Sequence, residues 1–432
     1  MDSLPRKTAL TIGMFGVLAA LIPNGIRPAL LLSTFSLALP ARVQPKVPAA
    51  AAAPVVNVRR EVSAPWLTVP EGSLDTFFAS LKRTEGKEPG AVTRILHYGD
   101  SPTTADSITA DVRRLLQARY GDAGHGFLLI AKPWAWYGHS GMKLEAKGWK
   151  IQPASQGHAP DGFHGLGGVS FTGEPGATSW VTLPDDHYSR TTVYYLAQPG
   201  GGSFTVNAEG TKIDEIQTAA DEKQPAFAEL NIPAGTRNVE VLVSSGSVRL
   251  FGYRFDKDQP GVQYSSLGIN GAQVQMIVRY FNPPQWSASL RHEKPALVVL
   301  NYGTNESIYP AYVEKDYPKE LRQAIATIRE ALPDSSLLLM GPMDRGTMTG
   351  GDITTPPSLP ALIEVQKKVA AETGCAFFNT YEAMGGSGTM GRWYHAEPRL
   401  VSADFLHPMP AGAAIVGELF ANALMHAYQA SR

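Results

Sequence analysis

The stretch RILHYGDSPTTADSITADVRRLLQARYG, residues 94–121, decides the fold class. It opens on a short apolar run that stops at Gly99. A polar turn follows, and then Ile108, Val112, Leu115 and Leu116 recur at the spacing of one helical face until Gly121. This is a strand–turn–helix unit with Ser101 in the turn. The same alternation returns downstream. QYSSLGIN (263–270), ALVVLNYG (296–303), SLLLMGP (336–342) and CAFFNTY (375–381) read as strands, and helical patterns lie between them and after the last. Five apolar strands alternating with helices predict a mostly parallel sheet covered on both faces.

Residues 140–262 have a different character. SWVTLP, TTVYYLAQPGGGSFTVNAEG and NVEVLVSSGSVRLFGYRFD alternate with period two and break at Gly, Pro and Asn turns. That pattern predicts an antiparallel β-sandwich inserted into the α/β chain, which would occupy 64–139 and 263–432.

The 38 Lys and Arg balance 39 Asp and Glu, and no basic stripe appears, which argues against a nucleic-acid surface. The single cysteine, Cys375, excludes an intramolecular disulfide and a cysteine-based metal site, and it reads as a core residue. At the N-terminus, Arg6 and Lys7 precede TALTIGMFGVLAALIP, and PALLLSTFSLALPA ends on small residues at Ala41. Residues 1–41 therefore read as an export signal peptide or a membrane anchor, and 42–63 as an Ala/Pro-rich linker. The working part is expected outside the cytoplasm, in the periplasm or cell envelope.

Ligands of an open parallel sheet bind beyond the carboxyl ends of its strands. GDS (99–101), LGING (267–271) and YGTNES (302–307) stand at three such ends, and SADFLHP (402–408) precedes the final helix. A serine hydroxyl needs a base to take its proton, and the base needs a carboxylate to hold its tautomer. His407 and Asp404 supply both from one turn. Pro102 has no N–H, so the residue after Ser101 cannot donate to an oxyanion as it does in a nucleophile elbow. The donors must then be the N–H of Ser101, the N–H of Gly268 and the side-chain amide of Asn305.

Gly99-Asp100-Ser101, Gly268, Gly303-Thr304-Asn305 and Asp404-x-x-His407 resemble, in order, the four blocks of the SGNH, or GDSL-type, hydrolases. The resemblance spans about residues 92–140 and 263–428. It implies a flavodoxin-like three-layer α/β/α fold with strand order 2-1-3-4-5. It also implies Ser101 as nucleophile, His407 as base, Asp404 as its orienter, and Ser101, Gly268 and Asn305 as the oxyanion hole. Glu306 departs from the third block, where Asp is usual. Within the superfamily the chain looks most like exported bacterial peptidoglycan O-acetylesterases, whose inserted β module is carbohydrate-binding-like.

The reading that results is a serine esterase that removes O-acetyl groups from an envelope glycan, with no cofactor and no metal. Its partner would be an O-acetylated polysaccharide, peptidoglycan first. An O-acetyltransferase using the same residues and a non-catalytic glycan-binding protein are the alternatives. Among the remaining residues, Asp100 reads as structural, and Asp106 as the cap of the helix from Ser107. Ser101 combines capping with catalysis. Glu306 is a solvated carboxylate or a substrate contact. Trp393 and His395 either form a sugar-stacking wall or pack the loop that holds them. His187, beside two acids, lacks a third ligand at metal spacing. Trp134 and Trp136 are expected to seal the domain junction.

Overall fold

The computed structural model describes residues 66–155 and 159–432; the expected targeting segment and linker lie outside them. Among the described residues no helix is long and apolar enough to cross a membrane.

The described residues begin with β1 (Leu67–Thr68), α1 (Asp75–Glu85), β2 (Val92–Gly99), the one-turn α2 (Ser101–Thr104), α3 (Ser107–Tyr120) and β3 (Gly124–Leu128). Antiparallel strands follow: β4 (Lys143–Pro153), β5 (Val169–Thr182), β6 (Tyr188–Ala197), β7 (Ser203–Ala208), β8 (Thr211–Gln217), β9 (Gln224–Asn231), β10 (Asn238–Ser245) and β11 (Val248–Lys257). The alternation then resumes with β12 (Gly261–Gly268), α4 (Gln275–Arg279), α5 (Pro283–Glu293), β13 (Leu297–Asn301), α6 (Pro310–Lys315), α7 (Tyr317–Ala331) and β14 (Ser336–Met340). The last elements are a hairpin of β15 (Thr347–Thr349) and β16 (Asp352–Thr354), α8 (Ser358–Thr373), β17 (Ala376–Phe378), α9 (Thr380–Ala383), α10 (Thr389–Tyr394) and α11 (Pro410–Ala430).

The first sheet runs β1-β17-β14-β13-β2-β12, parallel throughout except for β1. Counted in chain order, its five parallel strands lie 2-1-3-4-5. Alternate side chains fill two cores. Val298, Leu300, Leu337 and Leu339 point to one, while Leu297, Val299, Leu338 and Met340 point to the other. Period-two alternation with both sets buried is what a sheet covered on both faces requires. Strand order reverses around β2, whose last residue, Gly99, is level with Gly268 of β12 and Asn301 of β13. This is the switch point, where a parallel sheet opens its crevice.

The inserted strands form one continuous nine-stranded sheet rather than two separate ones. The long β5 makes this possible. Its Phe171–Gly173 end pairs with β11, and its Thr178–Thr182 end pairs with β10. β4 follows it through both halves with a register shift between Lys147 and Trp149. A bulge bends the strand at that point, so the inner faces of the two halves still meet in one core. The sheet also starts earlier than residue 140, because β3 pairs with β11. The Phe127 N–H donates to Ser265 Oγ of β12 at 3.0 Å, so β3 covers the edge of the parallel sheet.

Trp134 is buried, but Trp136 is 55% exposed and seals nothing. Cys375 is buried. A polar brace also joins the inserted strands to the α/β part. Arg254 of β11 bonds Asp256, and it bonds Glu293 of α5 at 3.2 Å, with Tyr194 also donating to Glu293. All four side chains are buried.

Candidate active site

Ser101 is buried and begins the α2 turn directly after β2. It is not a cap: Asp100 holds the capping position, and Ser101 Oγ turns to His407, 2.7 Å from Nε2. His407 Nδ1 lies 2.6 Å from Asp404 Oδ2. Asp404 Oδ1 accepts from the N–H groups of Leu406 and His407, both at 3.0 Å, and from Ser402 Oγ. Desolvation disfavours the Asp404 charge. The bonds from His407, Ser402 and the two backbone N–H groups outweigh it and hold the carboxyl below its usual range. An ionised Asp404 accepts, so the proton of the neutral imidazole sits on Nδ1. Nε2 is left with a lone pair to receive the Ser101 proton.

Backbone contacts fix the loop that carries this pair. Ser402 N donates to His407 O at 2.8 Å, Met409 N to Leu400 O at 2.9 Å, and Gly346 N to Phe405 O at 2.8 Å. Phe405 takes a φ of 57°, the left-handed turn that brings Asp404 back beneath His407.

Gly268 is where a side chain cannot fit: a Cβ there would lie 2.1 Å from Thr104 N. The glycine lets β12 press against the backbone of the turn that holds Ser101. Asn305 donates from Nδ2 to Ala272 O at 2.9 Å, which leaves one amide hydrogen. The glycine beside that carbonyl is Gly271, exposed and at φ +70°. Among the described residues, the N–H groups of Ser101 and Gly271 donate to no protein acceptor. Gly268 therefore owes its identity to close packing, and Gly271 is the glycine that adjoins Asn305.

Glu306 is neither solvated nor available to a substrate. It is fully buried, accepting from Val274 N at 2.7 Å and Gly303 N at 3.0 Å. Burial pushes its carboxyl up to about 8 against those bonds. It ties the turn after β12 to the turn after β13, which is the task that places Asn305. Trp393 is likewise buried in a core, against the start of α11 at Gly412, and offers no sugar wall. His395 is exposed, with its ring against Tyr394. Asp106 caps no backbone N–H. Its carboxylate takes Thr109 Oγ1 at 2.6 Å, Ser140 N at 2.9 Å and the Arg113 guanidinium. Asp100 is buried with one oxygen unpartnered, and burial raises its carboxyl to about 6. No sequence signal separated Glu306 from surface acids, because its partners are backbone N–H groups, one of them in the turn after β12.

Among the described residues, Asp106, His125 and His139 place possible ligand atoms within 4.8 Å of one another. They do not fit a cation. Arg113 occupies the carboxylate, and the His139 nitrogens meet His125 Nε2 at 2.9 Å and Tyr137 Oη at 3.1 Å. A cavity of about 760 Å³ beside them, between α3 and the Pro184–Tyr188 edge of the module, does not include Ser101. The serine, histidine and aspartate stand instead at the open crevice of the parallel sheet.

This is the arrangement by which a serine hydroxyl attacks an ester. Residues 237–415 match the GDSL-like lipase/acylhydrolase family, a stretch that begins inside the insertion, just before β10, and leaves out Ser101. A solved peptidoglycan O-acetylesterase superposes with a TM-score of 0.73 at 23% identity, covering 84% of this chain and 99% of its own. A Bacillus subtilis protein (TM-score 0.32, 15% identity, 66% and 90% covered) and an acetylxylan esterase from Geobacillus stearothermophilus (0.29, 21%, 38% and 73%) are too distant in fold to weigh. No curated protein matches the chain. The matched stretch is thus similar to a family of lipases and acylhydrolases, and the superposition shows a shared fold.

Proposed function

We propose that the protein is a serine esterase that removes O-acetyl groups from a cell-envelope glycan, with peptidoglycan as substrate, and that it works outside the cytoplasm. The observation that carries the chemistry is the line from Ser101 Oγ through His407 to Asp404, at 2.7 and 2.6 Å. Ser101 attacks the acetyl carbonyl carbon as His407 Nε2 takes its proton. The tetrahedral intermediate collapses as His407 returns that proton to the sugar oxygen, which leaves an acetyl-Ser101 ester. Water, deprotonated by His407, then attacks the acetyl carbon, and His407 returns that proton to Ser101 Oγ as the ester bond breaks and acetate leaves. The developing oxyanion is met by the Ser101 N–H and the free amide hydrogen of Asn305, with the turn at Gly271 beside them.

The charged, apolar N-terminal stretch supports export, and the peptidoglycan O-acetylesterase likeness supports the glycan. Acetate release from O-acetylated peptidoglycan, acetylated xylan and an acetylated lipid tests the assignment. Peptidoglycan is expected to be the best of the three. A preference for the lipid would overturn it, and accumulation of newly acetylated glycan in place of free acetate would mark a transferase.

A further inference from the structure

Leaving apolar surface in water costs on the order of 25 cal/mol per Å², so exposed large apolar side chains matter when they gather. Four of the seven such residues among those described, Ile308, Tyr309, Met348 and Met409, belong to loops that carry or touch the site. Ile308 and Tyr309 follow Asn305 within one turn, and Met409 is two residues beyond His407. Met348 lies in the β15–β16 hairpin, which pairs only with itself and turns at Gly350 and Gly351.

The root of that hairpin is bonded to both sides of the site. Arg345 donates to Thr304 O at 3.0 Å, next to Asn305, and Gly346 N donates to Phe405 O at 2.8 Å, next to Asp404. Tyr309 and Met348 are 53% and 55% exposed, so neither serves the core. Thr347, Thr349 and Asp352 are exposed beside Met348. Apolar groups interleaved with hydroxyls and a carboxylate suit a sugar, whose C–H faces lie on aromatic or thioether groups while its hydroxyls find hydrogen bonds. An acyl chain would call for a continuous apolar strip.

We infer that Tyr309 and the Met348 hairpin are the walls that hold the glycan chain on either side of the acetylated sugar. This rests on the esterase reading above and adds which residues select polymer over small ester. Tyr309→Ala and Met348→Ser, singly and together in the full chain, are compared with the parent on p-nitrophenyl acetate and on O-acetylated peptidoglycan strands. Binding of those strands to Ser101→Ala carrying the same changes is measured in parallel. The double variant is expected to lose about tenfold in kcat/KM on the strands, through KM, and a similar factor in binding, with the small ester unaffected. A strand-to-small-ester ratio equal to the parent's, or an equal loss on both substrates, would overturn the inference. A parent inert toward p-nitrophenyl acetate would strike the esterase reading instead, and the binding comparison would still decide the walls.

Discussion

Ser101, His407 and Asp404 illustrate how unequal burial divides labour among three side chains. Ser101 is buried in a turn, whereas the side chains of His407 and Asp404 are 42% and 50% exposed. Solvent therefore screens the carboxylate, and its hold on the imidazole relies on geometry: one oxygen is fixed by two backbone N–H groups so that the other faces Nδ1. Asp404→Asn is expected to lower kcat on an acetyl ester by about 10²–10³, short of the ~10⁴ typical of a buried carboxylate in that role. A steady-state assay decides it, and a loss under tenfold would show that Asp404 does not orient His407. The closeness of Ser101 and His407 was legible because each stands at a strand end or before a helix, where a parallel sheet gathers loops. Glu306 was not, since a buried acid satisfied by two backbone N–H groups looks, in sequence, like any surface acid.

Element packing sets the position of Ser101. α2 is a single turn between β2 and α3, and it rests on β12 at a glycine. Gly268→Ala would drive a methyl into Thr104 N, so the turn must shift. The expected result is a stability loss of about 1–3 kcal/mol by urea unfolding and a drop in kcat, because Ser101 moves with the turn. Full activity in Gly268→Ala would show that the contact is not needed to place Ser101. At this scale the strand–helix alternation was legible from apolar runs broken by Gly and Pro. The pairing of β3 with β11 was not. GHGFL reads as a short buried strand, and nothing in its own pattern tells which of two sheets it joins.

At the scale of the whole molecule, buried charge joins the inserted sheet to the α/β part. Arg254 lies between Asp256 on its own strand and Glu293 on α5. Removing one partner strands the others in a dry interior, so Arg254→Ala is expected to cost about 3–5 kcal/mol in urea unfolding. A loss under 1 kcal/mol would contradict the brace. Buried ionisable groups also set the pH dependence. Burial raises the Asp100, Glu293 and Glu306 carboxyls to about 6, 7 and 8. The folded state holds their protons more tightly than the unfolded chain, so stability falls as pH rises from the ordinary carboxylate range through those values. Burial lowers His97, His139 and His292 to about 4. The unfolded chain takes up those protons first, so stability is lost as pH falls from about 6.5 toward 4. The Tm is therefore expected to peak near pH 6–7 and to decline on both sides, and a Tm still rising from pH 7 to 9 would contradict the burial of Glu293 and Glu306.

In the proposed reaction Ser101 carries the acetyl group between glycan and water. Rapid-quench peptide mass spectrometry during turnover of an acetyl ester tests it most directly. An acetyl group is expected on the peptide containing Ser101, formed by the parent and absent from Ser101→Ala, which should lose activity by about 10³-fold or more while keeping its fold. Undiminished turnover by folded Ser101→Ala would contradict it.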